Sequence, residues 1–281
     1  MSAYIGATTS VATKAAEENF PVASRLLPKA QRRNLMAIYE YARLVDDVGD
    51  ESPGDRLDQL DWLEAELDRA ARGAASHPIF RRLAPVLDLA GPEPCRQLIE
   101  ANRMDQTVSS YGTFDELRAY CMLSAAPIGR LVLAVFSADS PERVALSDDV
   151  CCGLQLVEHL QDVGEDVARG RVYLPADELA RFGVTTEDLG CAAASEALRA
   201  LVRFEAARAR TLLHRGRPLA ASLEGRQRLA IVGFVAGGLA ALAAIDAADG
   251  DVLANRCRPS KQRFLRFALS LGLDVRSRPR W

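Results

Sequence analysis

Apolar residues recur every three to four positions along most of the chain, and no run alternates apolar with polar residues long enough to require a strand. In "GDRLDQLDWLEAELDRAARG", Leu57, Leu60, Leu63 and Leu67 keep helical spacing until Gly73 ends the pattern. "QRRNLMAIYEYARLVDDVGDE" reads as a helix that ends before Pro53, and further helices are predicted at 78–90, 94–109, 113–137, 141–168, 186–215, 222–247 and 260–271. The segments between them, "ESPG", "GPEP", "SADSPE", "RGRVYLPADELARFG" and "RGRP", are short. No linker is long or low in complexity and no repeat has a fixed period. Residues 1–281 therefore read as one all-α domain, with 1–17 and 272–281 as flexible ends.

Composition narrows the partners. With 281 residues, 49% of them hydrophobic, the chain can bury a substantial core, and its net charge of −3 without a long basic run argues against nucleic acid. Six cysteines without a CxxC pair and only three histidines argue against a zinc site and for reduced, cytosolic thiols. "MSAYIGATTSVATKAAEENF" has neither the basic nor the apolar region of a secretory signal, so a cytoplasmic location is expected. "LAIVGFVAGGLAALAAI", residues 229–245, is uncharged, but its Ala and Gly content favours a buried helix that leaves room for a neighbour or an apolar ligand. No basic amphipathic helix stands out.

The charged positions form a pattern of their own. At about 100° per residue, Gln155, Glu158, Asp162 and Asp166 share one stripe of their helix, and Tyr39, Arg43, Asp46 and Asp50 share a matching stripe 116 residues earlier. Carboxylates four apart on a helix are neighbours and repel by roughly 0.2–0.5 kcal/mol per pair. Two readings fit: solvated acidic faces, or facing helices whose converging carboxylates are relieved by a divalent cation. Mg²⁺ suits the second, because it is held by one or two carboxylates together with substrate phosphate oxygens. Tyr39 and Arg43 on the first stripe, and the Arg/Tyr loop "RGRVYLP" after the second, suit phosphate oxygens.

"LLPKAQRRNLMAIYEYARLVDDVGD", "YCMLSAAPIGRLVL" and "LQLVEHLQDVGEDVARGRVYLP", in that order, resemble the squalene/phytoene synthase family. "ENFPVASRLLP", "SAAPIGRLVL" and "HLQD" are most similar to its bacterial hopanoid branch, which forms hydroxysqualene. The resemblance implies an all-α isoprenoid synthase fold with a central apolar pocket between the two aspartate helices. It makes Asp46 and Asp50 the first Mg²⁺-binding pair and Asp162 and Asp166 the second, with Glu158 as a further metal ligand. Tyr39, Arg43, Gln155, Arg171 and Tyr173 would bind the diphosphate, Ala126 and Gly129 the prenyl chain, and Arg256, Arg258 or Lys261 would reach over the phosphates. Glu158 stands where the family usually has Asn, Gln161 where Arg is common, and Ala126 where this branch usually has Asn. The Tyr that many members carry near the C-terminus is not evident around Gly250-Asp251. Asp105 fits a pocket-facing or a surface position equally, and His159 lies within reach of the acidic stripe.

The activity so implied is conversion of presqualene diphosphate to hydroxysqualene and diphosphate by ionisation, carbocation rearrangement and water capture. Condensation of two farnesyl diphosphates to presqualene diphosphate or squalene is the alternative, and non-catalytic isoprenoid binding or assembly is a third reading. The insoluble C30 product is compatible with contact at the inner membrane surface. Other enzymes of squalene and hopanoid synthesis would then be partners.

Overall fold

The computed structural model describes residues 27–276, so the end expected at 1–17 lies outside the described residues, as do 277–281. Among the described residues fourteen helices follow one another: α1 (Lys29–Asp50), α2 (Arg56–Ala71), α3 (Pro78–Ala90), α4 (Glu93–Met104), α5 (Phe114–Ser124), α6 (Ala126–Val135), α7 (Pro141–Gln161), α8 (Val163–Ala168), α9 (Ala176–Phe182), α10 (Thr186–Leu189), α11 (Glu196–His214), α12 (Gly216–Ala221), α13 (Gly225–Ala247) and α14 (Lys261–Arg276). Among the described residues no strand forms, only an isolated bridge between Ser110 and Val172. Several helices start on a capping side chain. Asp55, Thr113, Ser140 and Ser195 each accept a hydrogen bond from the backbone amide three residues on, satisfying a donor that the first turn leaves open.

Two groups of helices meet along α7. The first group packs α1 against α2, α3, α4 and α6, and the second packs α7 against α11, α12 and α13, with α6 and α5 bridging the two. In the first group the Tyr41 ring is fully buried, donates its hydroxyl to the Cys95 carbonyl at 2.9 Å and meets Phe80 edge-on at 5.5 Å. That arrangement gives the ring its apolar contact without orphaning its polar atom.

Several expected helices differ, and the one expected at 94–109 ends at Met104. The run at 113–137 breaks at Ala125, just before Pro127, which has no N–H to donate and is better tolerated in the first turn of a new helix than inside a continuous one. The run at 141–168 breaks at Asp162, whose backbone leaves the helical region (φ −108°, ψ 12°). There Gln161 donates to the Cys257 carbonyl and Leu253 packs over Gly164. The run at 186–215 is two helices, and α9 forms inside the presumed loop 169–183. The last helix continues to Arg276, past the expected end at 271.

That extra length adds Leu273 to Leu265 and Leu269 on the same helix. The apolar stretches Phe114–Val135 and Gly225–Ala247 are long and apolar enough to cross a membrane, yet most of each is buried in the domain. Helix α13 packs against α7, α11, α12 and α14 and serves as a core helix.

All six cysteines are free; only Cys191 is exposed, and burial pushes the Cys95 and Cys151 thiols up to about 12. Ellman's reagent should therefore titrate one thiol rapidly in the native protein and six after denaturation.

Candidate active site

The two stripes meet at one cavity of about 230 Å³ between the helix groups. Tyr39, Arg43 and Asp46 of α1 line it, as do Gln155 and Glu158 of α7, and together they make its polar end. The rest is apolar wall, with Leu35 and Ile38 from α1, Ile128 and Val132 from α6, Leu154 from α7, and Ile231 and Phe234 from α13. The small residues of α13 are what let this helix lie close to α7. A Cβ on Gly238 would stand 2.8 Å from side-chain atoms of Leu154 and Leu213.

Gly129 also lines the cavity, and a Cβ there would stand 2.3 Å from the Ser147 hydroxyl and 2.6 Å from the Cys151 sulfur. Its missing side chain sets the closeness of α6 to α7. Ala126 does not line the cavity: it is fully buried, about 100° round the helix from Ala125, which does. Ser124 and Ala125 take the wall position expected of Ala126.

The break at Asp162 also redirects the second acid pair, so neither Asp162 nor Asp166 continues the cavity wall as a straight helix would have it. Asp166 turns instead toward His159, with its Oδ2 3.9 Å from Nδ1, and shares a small adjoining cavity with Arg171 and Tyr173. Asp50 is likewise off the wall, and Arg171 Nη1 meets its Oδ1 at 2.6 Å. Gly170 makes that reach feasible. Its φ of +78° turns the chain straight after α8, the Arg171 amide returns to the Asp166 carbonyl at 2.9 Å, and the Arg171 side chain crosses to α1.

The loop is then pinned. Val172 donates its amide to Ser109, and Ala176 and Asp177 donate theirs to Tyr111 and Gly112. Above it His159 stacks on Tyr173 with centroids 3.8 Å apart, and Tyr120 and Tyr111 extend the aromatic column. Both Tyr173 (3.3 Å) and Tyr120 (2.7 Å) donate to Asp105, which therefore belongs to the site. Sequence reasoning did not single out Tyr120, Tyr111 or Asn102, whose amide approaches Asp46 at 3.4 Å. The spacing of Asn102 and Asp105 along α4 was the only available signal. Arg256 and Arg258 are exposed, on either side of Cys257, whose carbonyl binds Gln161, so their segment lies against the α7–α8 joint beside Asp162. Lys261 is exposed at the start of α14.

The electrostatics follow from crowding acids at the rim of an apolar space. Burial, with Asp50 and Asp47 adding to it, pushes the Asp46 carboxyl up to about 6 against the opposing pull of Arg43 and Asn102. About half of the Asp46 side chain (48%) still reaches the open space of the cavity, and partial loss of water around it raises the carboxyl. Burial, then Asp166 and Glu165, push Asp162 up to about 6 as well. Asp105 also rises through burial, although two phenols donate to it. Among the described residues no three His, Cys, Asp or Glu side chains converge closely enough to hold a metal ion by themselves.

An all-α fold closed around an apolar cavity, with two acid-rich helices and an arginine loop at its mouth, defines an isoprenoid synthase. The squalene/phytoene synthase family model matches residues 13–263. The chain is 38% identical over 216 residues to the hydroxysqualene synthase of Sinorhizobium fredii (74% of this chain, 72% of that one). It is 41% identical over 214 residues to that of Rhodopseudomonas palustris, with the same shares covered. The solved squalene synthase HpnC from Alicyclobacillus acidocaldarius superposes with a TM-score of 0.78 at 40% identity, covering 84% of this chain and 91% of that one. A dehydrosqualene synthase in complex with ligand gives 0.85 at 23% identity, covering 95% and 96%, a likeness of fold alone. The chain belongs to the squalene/phytoene synthase family, a family of enzymes.

The raised carboxyls have a defined sign. A carboxyl whose value is higher folded than unfolded favours the folded state when protonated, so that contribution fades as pH rises from about 4 to about 6. In metal-free protein the stability these two carboxyls contribute should be lost over that interval. Asp46→Asn or Asp162→Asn should flatten the loss and raise Tm at pH 7.5 by about 2 °C, read by calorimetry.

Proposed function

We propose that this enzyme converts presqualene diphosphate to hydroxysqualene and diphosphate. The observation that carries the reading is one cavity with an acid- and arginine-bearing polar end and an apolar body. The similarity to hydroxysqualene synthases over about three quarters of the chain supports the choice of substrate.

The donor set fits divalent cations of the Mg²⁺ type. Every group involved is an oxygen donor, and Asp46 and Asp162 are raised by burial, with neighbouring acids adding to it. The lack of a three-residue cluster suits an ion that completes its shell with phosphate oxygens and water. Asp46, Asp50 and Glu158 would hold it on one side and Asp162 and Asp166 on the other. When bound, it supplies positive charge that stabilises the departing diphosphate.

The chain's own residues do the rest. Tyr39, Arg43 and Gln155 orient the head group at the polar end, while Arg171 and Tyr173, held by the pinned loop, donate to its oxygens as the C–O bond breaks and the electron pair leaves with diphosphate. The apolar wall keeps bulk water from the cyclopropylcarbinyl cation while it rearranges. Water then adds to the cation and loses a proton, giving the alcohol. Gly129 keeps α6 thin against the prenyl chain.

Purified protein with Mg²⁺ and without NADPH should turn presqualene diphosphate into hydroxysqualene. Turnover of farnesyl diphosphate alone would instead assign the condensation. Asp46→Asn and Asp162→Asn should each lower kcat by about 10³-fold, the scale of losing one electrostatic stabiliser of a developing anion, with folding preserved by circular dichroism. Gly129→Ala should narrow the cavity and destabilise the fold by roughly 1–2 kcal/mol in a urea titration, because Ser147 and Cys151 must rotate away.

A further inference from the structure

Helix α14 carries Leu265, Leu269 and Leu273 one turn apart on its outer face, 57%, 58% and 65% exposed. They are the three most exposed of the large apolar side chains described, and the others, Leu57, Leu89 and Leu229, stand on other helices. The opposite face of α14 is anchored: Leu271 is buried, Phe264, Phe267 and Ala268 pack on the core, and the helix lies on α13 and α12. The leucine row is therefore held rigidly outward, and folding leaves it uncovered.

Charge says what covers it. Lys261 and Arg266 are exposed beside the leucines, and Arg263 is half-buried on the same helix. Residues 261–281 contain six basic residues (Lys261, Arg263, Arg266, Arg276, Arg278, Arg280) against one acid, Asp274, a net of +5 in a chain of net −3. The rest of the chain is then −8, so this segment of the sequence is basic where the remainder is acidic, and its described cations, Lys261, Arg263 and Arg266, stand on the helix that carries the leucines. Exposed leucines bordered by Lys and Arg on one amphipathic helix match an anionic bilayer surface, where the apolar row enters the headgroup boundary and the cations meet lipid phosphates. A second copy of this chain would meet the same positive charge across its two-fold axis, which opposes self-association through this face.

We propose that α14 is a membrane-docking helix that seats the enzyme on anionic lipid. The helix follows directly on the segment carrying Arg256 and Arg258, and it packs on α12 and α13, which contribute Leu219, Ile231 and Phe234 to the cavity wall. Docking therefore brings the apolar side of the cavity toward the bilayer. This inference is independent of which prenyl diphosphate the enzyme uses.

The test is sedimentation with vesicles of phosphatidylcholine containing about one quarter phosphatidylglycerol, against pure phosphatidylcholine, using the full chain. The wild type should bind the anionic vesicles, and about 0.5 M NaCl should weaken the binding strongly. Leu265→Ser/Leu269→Ser/Leu273→Ser should bind at least about 100-fold more weakly. Arg266→Glu should bind about tenfold more weakly. Both variants should keep the wild-type melting temperature and turnover of detergent-dispersed substrate, since these side chains touch nothing in the cavity. Equal sedimentation of wild type and leucine variant overturns the proposal, as does wild-type binding no greater than that to pure phosphatidylcholine. So does a dimer, seen by light scattering, that the leucine substitutions split.

Discussion

The constraint on which the rest depends is the repulsion among carboxylates gathered at the rim of an apolar cavity. Like charges at the 5–6 Å spacing of helical neighbours repel by roughly 3 kcal/mol at an effective dielectric of 20, several times the value on a solvated helix surface. The fold offers partial relief. Arg171 reaches Asp50, Arg43 lies 3.9 Å from both Asp46 and Asp47, and Asn102 approaches Asp46. Burial first, and the remaining repulsion after it, keep Asp46 and Asp162 raised. The site is left short of positive charge, which is what the proposed cation would supply.

Several local features serve that arrangement. Arg171 and Tyr173 reach the site because Gly170 takes a positive φ and because the loop is hydrogen-bonded to the segment after α4. The break at Asp162, fixed where Gln161 meets Cys257, turns Asp166 toward His159 and the aromatic column instead of the prenyl wall. Gln161 stands where relatives commonly carry Arg, and here it serves as the clasp that brings Arg256 and Arg258 to the same joint.

Much of this was legible from residue spacing. The all-α fold, the two polar stripes and their meeting at one cavity follow from periodicity, because α1 and α7 bury strongly apolar faces that fix how each helix is turned. The spacing of Tyr39, Arg43 and Asp46 survived unchanged for that reason. What spacing did not reveal depends on contacts between distant segments. The break at Asp162 arises from residues nearly a hundred positions away, and Asp105 was ambiguous because its partners Tyr120 and Tyr173 lie on other elements. Ala126 was misplaced since Pro127 restarts the helix and resets its phase. The leucine row of α14 was hidden by ending that helix five residues early.

The central claim is that carboxylates, cation and diphosphate complete one another, so neither ligand is bound well alone. Calorimetric titration with a non-hydrolysable prenyl diphosphate analogue, with and without Mg²⁺, tests it most directly. Mg²⁺ and the analogue should each tighten binding of the other by the same factor, at least about tenfold, as reciprocal linkage demands, and Asp162→Asn should reduce that factor. An analogue that binds equally well in Mg²⁺ and in chelator would contradict the account.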